Sequence, residues 1–170
     1  AKQKVVKAPE TPDHDRVVKA PASPPVAKVI PAVANQTKAP TKTVASAPNF
    51  SWPTKGPVIA TFGDRKGKLR NEGINIKAAR GAAVNPCAPG RVLMVGKGPK
   101  AFGNIVMIDH GNGFMSAYCH LDQISVKKGQ RLKTVQNIGS VGKTGTVSTS
   151  QLHFELRQNG KSVDPLKYLK

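Results

Sequence analysis

The sequence is short of aromatic and acidic residues and contains little cysteine. It has five Phe, two Tyr and one Trp among 170 residues, and no run of them could form a stacking platform for single-stranded nucleic acid. No DNA-reading helix pattern is present either. No stretch approaches the roughly 20 apolar residues of a membrane-spanning helix. We therefore expect neither nucleic-acid binding nor a transmembrane segment in this chain.

The two cysteines, Cys87 and Cys119, are too far apart for a Cys-x-x-Cys zinc or redox motif. An oxidising compartment would allow a disulfide between them. The favoured interpretation is that they are two separate small core residues.

The scarcity of acidic residues leaves the chain strongly basic, because 27 Lys and Arg face only nine Asp and Glu, a net charge of +18. Residues 1–50 contribute +5, from eight basic and three acidic side chains. Residues 51–170 contribute +13, from 19 basic and six acidic side chains. A field of this size favours an anionic partner such as cell-wall polymer, an acidic protein or a lipid surface. The alternative is a basic surface that only keeps the protein soluble.

Glycine is missing from residues 1–50, which nevertheless hold eight of the fourteen prolines. This segment shows neither helical nor strand periodicity and cannot bury enough apolar area to offset the entropy of ordering it. The composition predicts a disordered Pro/Ala/Lys-rich linker over residues 1–50 and one folded domain over residues 51–170.

The clearest structural signal in the domain is the segment 151–157. Its large apolar residues Leu152, Phe154 and Leu156 alternate with more polar ones, which predicts a β-strand. Alternation places the side chains of Gln151 and His153 on the same face, together with Glu155. We expect Glu155 to be a paired or solvated strand charge.

The rest of the domain reads as short strands separated by glycine-containing turns. Strands are predicted near residues 58–62, 73–77, 91–95, 104–109, 114–120 and 138–142. Residues 65–70 are predicted to form a basic loop, residues 121–136 to be irregular, and the C-terminus to contain a turn. Because no long amphipathic helix is present, the predicted fold class is mostly β, with an antiparallel sheet.

Five motifs occur in order along the domain and together resemble one family. They are Asn71-Glu72-Gly73-Ile74-Asn75, Gly103–Gly111, Tyr118-Cys119-His120-Leu121, Gly139-x-x-Gly142-x-Thr144-Gly145 and Gln151-Leu152-His153-Phe154-Glu155. The domain resembles the LytM, or lysostaphin-type, zinc endopeptidases that cut peptidoglycan cross-links. The domain resembles a degenerate NlpD/EnvC-like amidase activator. Its C-terminal segment looks most like the NlpD-type branch, whose members are division-associated envelope lipoproteins. The resemblance implies the family's duplicated hybrid-motif fold.

The resemblance also implies where the family's active site falls. The zinc-ligand positions correspond to Asn71, Asn75 and His153, and the proton-handling positions to His120 and Gln151. Three of these five positions carry uncharged amides, which do not suit zinc and cannot exchange a proton as imidazole can. The resemblance therefore implies a pseudo-enzyme with no catalytic residues, no metal and no cofactor.

Degenerate members of the family bind and activate peptidoglycan N-acetylmuramoyl-L-alanine amidases through the former active-site cleft. The resemblance thus implies amidase and peptidoglycan as partners, a role in cell division and daughter-cell separation, and a periplasmic or cell-envelope location, with the full-length form an outer-membrane lipoprotein. The predicted docking cleft comprises Asn71, Asn75, Tyr118, His120, Gln151 and His153. Its predicted basic rim comprises Arg65, Lys66, Lys68 and Arg70.

Two other functions stay open. The domain could be a peptidoglycan-binding anchor, or a residual zinc endopeptidase with an unconventional metal site. A weak relict site could combine His120 and His153 with Asp122 or Asp109. His110 precedes a predicted turn and is expected to be a packing histidine rather than a ligand.

Overall fold

The computed structural model describes residues 48–66 and 69–170. The predicted linker lies outside this range up to residue 47, so its disorder stays a prediction. Lys68 and the side chain of Lys66, both assigned to the basic rim, also lie outside the described part.

The described part consists of short strands and one 3₁₀ turn at Pro165–Lys167. The strands are β1 (Val58–Ala60), β2 (Arg65–Lys66), β3 (Leu69–Arg70), β4 (Ile74–Lys77), β5 (Ala83–Val84), β6 (Gly90–Lys97), β7 (Asn104–Gly111), β8 (Phe114–Ile124), β9 (Arg131–Leu132), β10 (Gly139–Val141), β11 (Gln151–Gln158) and β12 (Lys161–Val163). No helix in residues 48–66 and 69–170 is long and apolar enough to cross a membrane.

Most strands join one sheet in the order β1-β4-β11-β8-β7-β6-β9. Strand β12 pairs with β11, and β10 pairs with both β5 and β8, while β2 and β3 form a separate ribbon. Each of these named strand pairs is antiparallel. The predicted fold class, a mostly antiparallel β domain, is confirmed.

Strand β11 lies at the centre of the site because it pairs with β4 on one side and β8 on the other. Its apolar residues Leu152, Phe154 and Leu156 are fully buried in the main core, as the alternation predicts. Each contributes about 1.5–3 kcal/mol of burial free energy. The polar residues between them are buried as well, so the second face of β11 is covered rather than open to solvent.

Two segments differ from the sequence prediction. Leu121–Ile124, predicted to be irregular, continues β8 because Leu121 is fully buried and the segment pairs with β10. The predicted basic loop begins and ends as paired strands, with Arg65 opposite Arg70. Both segments are rich in polar side chains, so the local pattern did not predict strands there. Cross-strand pairing, which makes them strands, depends on distant residues.

The two cysteines are free and buried, which confirms that they are separate core residues. Cys87 belongs to the main core, whereas Cys119 packs with Ile105 and Ala117 in a smaller cluster. Burial raises the pKa of the Cys87 thiol to about 11, so this thiol is protonated and unreactive at neutral pH.

Candidate functional site

The candidate site lies on the face of β11 that points away from the main core. Three strands bring its parts together, because His153 on β11 lies opposite Asn75 on β4 and opposite Cys119 on β8. Cross-strand neighbours of this kind have Cβ atoms about 4.5–5.5 Å apart. The antiparallel register therefore assembles the site from segments far apart in the chain.

The amide side chains at the site bond to one another. Asn71 donates from Nδ2 to the Thr61 carbonyl at 2.9 Å and to Asn75 Oδ1 at 3.3 Å. Asn75 in turn donates from Nδ2 to Gln151 Oε1 at 3.3 Å. Each amide satisfies part of its neighbour's hydrogen-bonding capacity, so the three form one connected network.

His153 connects this network to a buried ion pair. Its Nδ1 lies 3.0 Å from Asn75 Oδ1, and its Nε2 lies 3.1 Å from Glu155 Oε1. Both neighbours are acceptor oxygens, so the ring makes both bonds fully only when both of its nitrogens carry hydrogen.

Glu155, which contacts His153, also forms an ion pair with Arg157. Arg157 donates to its Oε2 from Nη2 at 2.8 Å and from Nε at 3.2 Å. Burial raises the pKa of the Glu155 carboxyl, but bonds and charges from His153 and Arg157 outweigh burial and lower the pKa. Glu155 is thus a paired strand charge, as expected.

His120 reaches the site through an irregularity in β8. Asn104 pairs with Leu121 and Val106 pairs with Tyr118, so β8 has one more residue than β7 between these pairs. His120 takes a left-handed conformation with φ of 65° at this bulge. Its Nδ1 lies 2.8 Å from the Thr144 carbonyl. Burial lowers the pKa of His120, and the nearby His153 lowers it further against the opposing effect of that carbonyl.

A cleft of about 490 Å³ opens over these residues. Four of the six predicted docking residues line it: Asn71, Asn75, His120 and His153. Gln151 lies behind Asn75 and is 8% exposed. The predicted rim residues Arg65 and Arg70 also line the cleft, and the Arg70 guanidinium lies 5.1 Å from the centre of the Phe62 ring.

The assignment of Tyr118 to the cleft is wrong. Its side chain points into the main core, packs against Phe154 and is fully buried. The hydroxyl accepts hydrogen bonds from the Cys87 amide at 2.8 Å and from Ser116 Oγ at 3.0 Å. Strand alternation places Tyr118 on the core side, and the bulge that follows it turns His120 to the other side.

The sequence did not predict the apolar walls of the cleft or the carboxylates Asp64 and Glu72 in its lining. Asp64, Glu72 and Glu155 all line it, so it is not bordered by uncharged and basic groups alone. Apolar wall residues are Ala60, Leu69, Ala101, Phe102 and Val147. Most of these residues lie in loops or the β2–β3 ribbon, where only the folded chain shows what they face. Glu155, on the polar face of β11, had a usable sequence signal.

A model of Peptidase family M23 matches residues 69–165, more than half of the chain. The chain belongs to this family. It is 45% identical over 120 residues to the murein hydrolase activator NlpD of Escherichia coli, an alignment covering 71% of this chain and 31% of that protein. It is 39% identical to the cell division protein DipM of Caulobacter vibrioides, covering 68% of this chain and 20% of that protein. The chain thus spans less than a third of the length of either relative.

Among solved M23-like folds, a zinc containing peptidase from Vibrio cholerae superposes with a TM-score of 0.64. It is 32% identical, and the match covers 68% of this chain and 39% of that one. The donors in the present M23 site do not fit such a metal. In residues 48–66 and 69–170 no three His, Cys, Asp or Glu side chains form a metal-binding group. Asn71 and Asn75 supply amides, and both nitrogens of His153 are engaged.

The alternative metal site does not assemble either. Asp122 pairs with Arg80, and Asp109 accepts a hydrogen bond from the Gly111 amide. His110 bonds to the Pro89 carbonyl at 2.8 Å and to Ser116 Oγ at 2.7 Å. These contacts agree with a packing histidine.

Proposed function

We propose that this M23 domain is a pseudo-enzyme that binds and activates a peptidoglycan N-acetylmuramoyl-L-alanine amidase. The observation that carries the proposal is the bonded network of Asn71, Asn75 and Gln151 with His153. Asn71, Asn75 and His153 of this network line the cleft. The resemblance to the zinc endopeptidases assigns the four residues to the positions of zinc ligands and proton-handling groups, which supports the proposal. We infer that the zinc site is lost in this chain.

The chemistry of the network supports the loss of peptidase activity. A catalytic zinc needs three good protein donors and lowers the pKa of its bound water to about 7. Neutral amides provide neither the ligand strength nor the negative charge that would hold such a metal. Gln151 cannot take and return a proton near neutral pH. Three simultaneous replacements therefore favour an inactive domain over a slow enzyme.

The roles for which the relatives are named support activation as the remaining role. The E. coli relative is a murein hydrolase activator, and the Caulobacter relative is a cell division protein. Murein lies outside the cytoplasmic membrane, so the proposal places the chain in the periplasm or cell envelope during daughter-cell separation. The cleft, with its apolar walls and with Arg65 and Arg70 beside it, is the proposed docking surface.

Product analysis tests this proposal. Purified sacculi are incubated with the chain, with a periplasmic amidase, or with both, and the soluble products are identified by mass spectrometry. Amidase action separates stem peptides from glycan, whereas endopeptidase action cuts between stem peptides. We expect free stem peptides to increase only when both proteins are present. Cross-link cleavage by the chain alone would overturn the proposal.

The charge of the chain favours a second candidate, a peptidoglycan-binding anchor. The net charge of +13 on residues 51–170 would hold an anionic wall polymer without any enzyme partner. Sedimentation with sacculi across a salt series separates the two functions. An anchor predicts salt-sensitive sedimentation with no stimulation of amidase.

A further inference from the structure

Two hydrogen-bond acceptors that line the cleft have no partner within the described residues. His120 shows this most clearly. The Thr144 carbonyl can only accept, so Nδ1 of His120 carries the hydrogen and Nε2 of the neutral ring carries a lone pair. Burial lowers the pKa of His120, which agrees with a neutral ring at physiological pH. Within the described residues Nε2 has no hydrogen-bond partner, and the ring lines the cleft.

Asn71 offers a second acceptor. Its amide nitrogen uses both hydrogens, one on the Thr61 carbonyl and one on Asn75 Oδ1. The hydrogen-bond network fixes this orientation of the amide, because its reverse would face oxygen with oxygen. Oδ1 of Asn71 then has no partner within residues 48–66 and 69–170, and Asn71 is half-buried in the cleft wall.

The ring and guanidinium donors of His153 and Arg157 are already in use, whereas one hydrogen of Asn75 Nδ2 has no partner within the described residues. Both nitrogens of His153 face Asn75 and Glu155, and Arg157 is turned toward the Glu155 carboxylate. Above the floor, Phe102 lies 5.4 Å from the His153 ring between centroids, and Val147 adds to the apolar wall. The cleft thus presents two free acceptors, His120 Nε2 and Asn71 Oδ1, and one free amide hydrogen of Asn75 between apolar side walls.

We propose that the cleft selects a protein partner that inserts a side chain with an apolar stem and an N–H or O–H tip, which donates to Nε2 of His120. A carboxylate cannot donate a hydrogen bond, so its oxygens would be repelled by the lone pairs of His120 Nε2 and Asn71 Oδ1. The nearby negative charge of Glu155 would repel it as well. Acidic residues of the partner would instead meet Arg65 and Arg70. This inference rests on the proposed function, since the partner is taken to be the amidase.

Replacement of His120 by Asn isolates the proposed bond. Asn tolerates the left-handed backbone at this position, and its amide can still donate to the Thr144 carbonyl. It does not reach the position of Nε2. Loss of one neutral hydrogen bond predicts an about tenfold higher Kd for a purified periplasmic amidase, measured by calorimetry with the full chain. The control is Val135→Ser, at a residue that is 90% exposed and outside the cleft, and we expect its Kd to be unchanged.

A second measurement needs no substitution. In a chain labelled with ¹⁵N-histidine, amidase should shift the Nε2 resonance of His120 and leave the resonances of His110 in place. Amidase binding with an unshifted His120 resonance, or an unchanged Kd for a folded His120→Asn chain, would overturn the inference while the proposed function stands. No binding by the unsubstituted chain would overturn the proposed function and the inference with it.

Discussion

Nδ1 of His153 lies 3.0 Å from Oδ1 of Asn75 on the neighbouring strand. The resemblance to the zinc endopeptidases assigns both positions to zinc ligands. Here the two side chains bond directly to each other, and the amide also receives a bond from Asn71. Under the proposed function, these side-chain hydrogen bonds take the place of a metal in holding the cleft floor together.

Restoring the missing donors should create a zinc site. We expect the triple variant Asn71→His, Asn75→Asp and Gln151→His to bind one zinc ion per chain in calorimetry, because it supplies imidazole and carboxylate ligands around His153. The unsubstituted chain should give no zinc binding above that of a Val135→Ser control. Comparable zinc affinity in the unsubstituted and triple-variant chains would mean that the amides already hold the metal.

Removal of the Glu155 carboxylate should destabilise the fold. At pH 7 we expect Glu155→Gln to lower the free energy of unfolding by about 2 kcal/mol, below the roughly 3–5 of a fully buried pair because Arg157 is partly exposed. The control Glu72→Gln alters a more exposed carboxylate and should cost below about 1 kcal/mol. Urea unfolding measures both, and equal losses would contradict the assigned role of Glu155.

The same carboxylate gives a pH dependence with a defined sign. The folded-state pKa of Glu155 is lowered, so its stabilisation is present above the unfolded pKa, about 4.3, and is lost as pH falls through the folded value. The stability gap between the unsubstituted chain and Glu155→Gln should therefore shrink between pH 5 and pH 3. Urea unfolding at each pH tests this, and a gap that widens on acidification would contradict it.

Tyr118 should act on stability and not on docking. Tyr118→Phe leaves the buried Cys87 amide without its acceptor, which predicts a loss of about 1–3 kcal/mol in the free energy of unfolding. The control Tyr168→Phe loses a bond of 3.2 Å to Gln158 that is only partly buried, and should cost less. Amidase stimulation per folded molecule should not change with Tyr118→Phe. A loss of stimulation in a variant that remains folded would show that Tyr118 contributes to docking.

The basic residues beside the cleft should contribute to partner binding in a salt-sensitive way. We expect Arg70→Glu to raise the Kd for amidase about fivefold at low salt, equivalent to about 1 kcal/mol, and less at high salt. Arg131→Glu makes the same charge change on β9, which ends the sheet path at the end opposite β1. A similar effect of the two substitutions would show that only the net charge matters.

Local pattern predicted the strands well and the site in part. The alternation in 151–157 identified β11 and its core face, because every second residue of a strand that packs on the core must be apolar. The family motifs brought Asn71, Asn75, His120 and His153 to one cleft, where the structure also places them. The pattern did not reveal that the polar face of β11 would be buried.

What could not be predicted depends on contacts between distant segments. The turn of His120 into the cleft follows from one extra residue in β8 relative to β7, a feature of pairing that neither strand shows alone. The core position of Tyr118 follows from ordinary strand alternation before this bulge. Asp64 and Glu72 reach the cleft because the ribbon and its flanking loop lie beside β4, which no periodicity encodes.

The most direct test of the account is dye release from labelled sacculi with the full chain, a periplasmic amidase, or both, each with zinc or with a chelator. The account predicts no release by the chain alone in either condition, and release with amidase that increases when the chain is added. Release by the chain alone, abolished by the chelator and by His153→Ala, would contradict it and show that a working metal site survives.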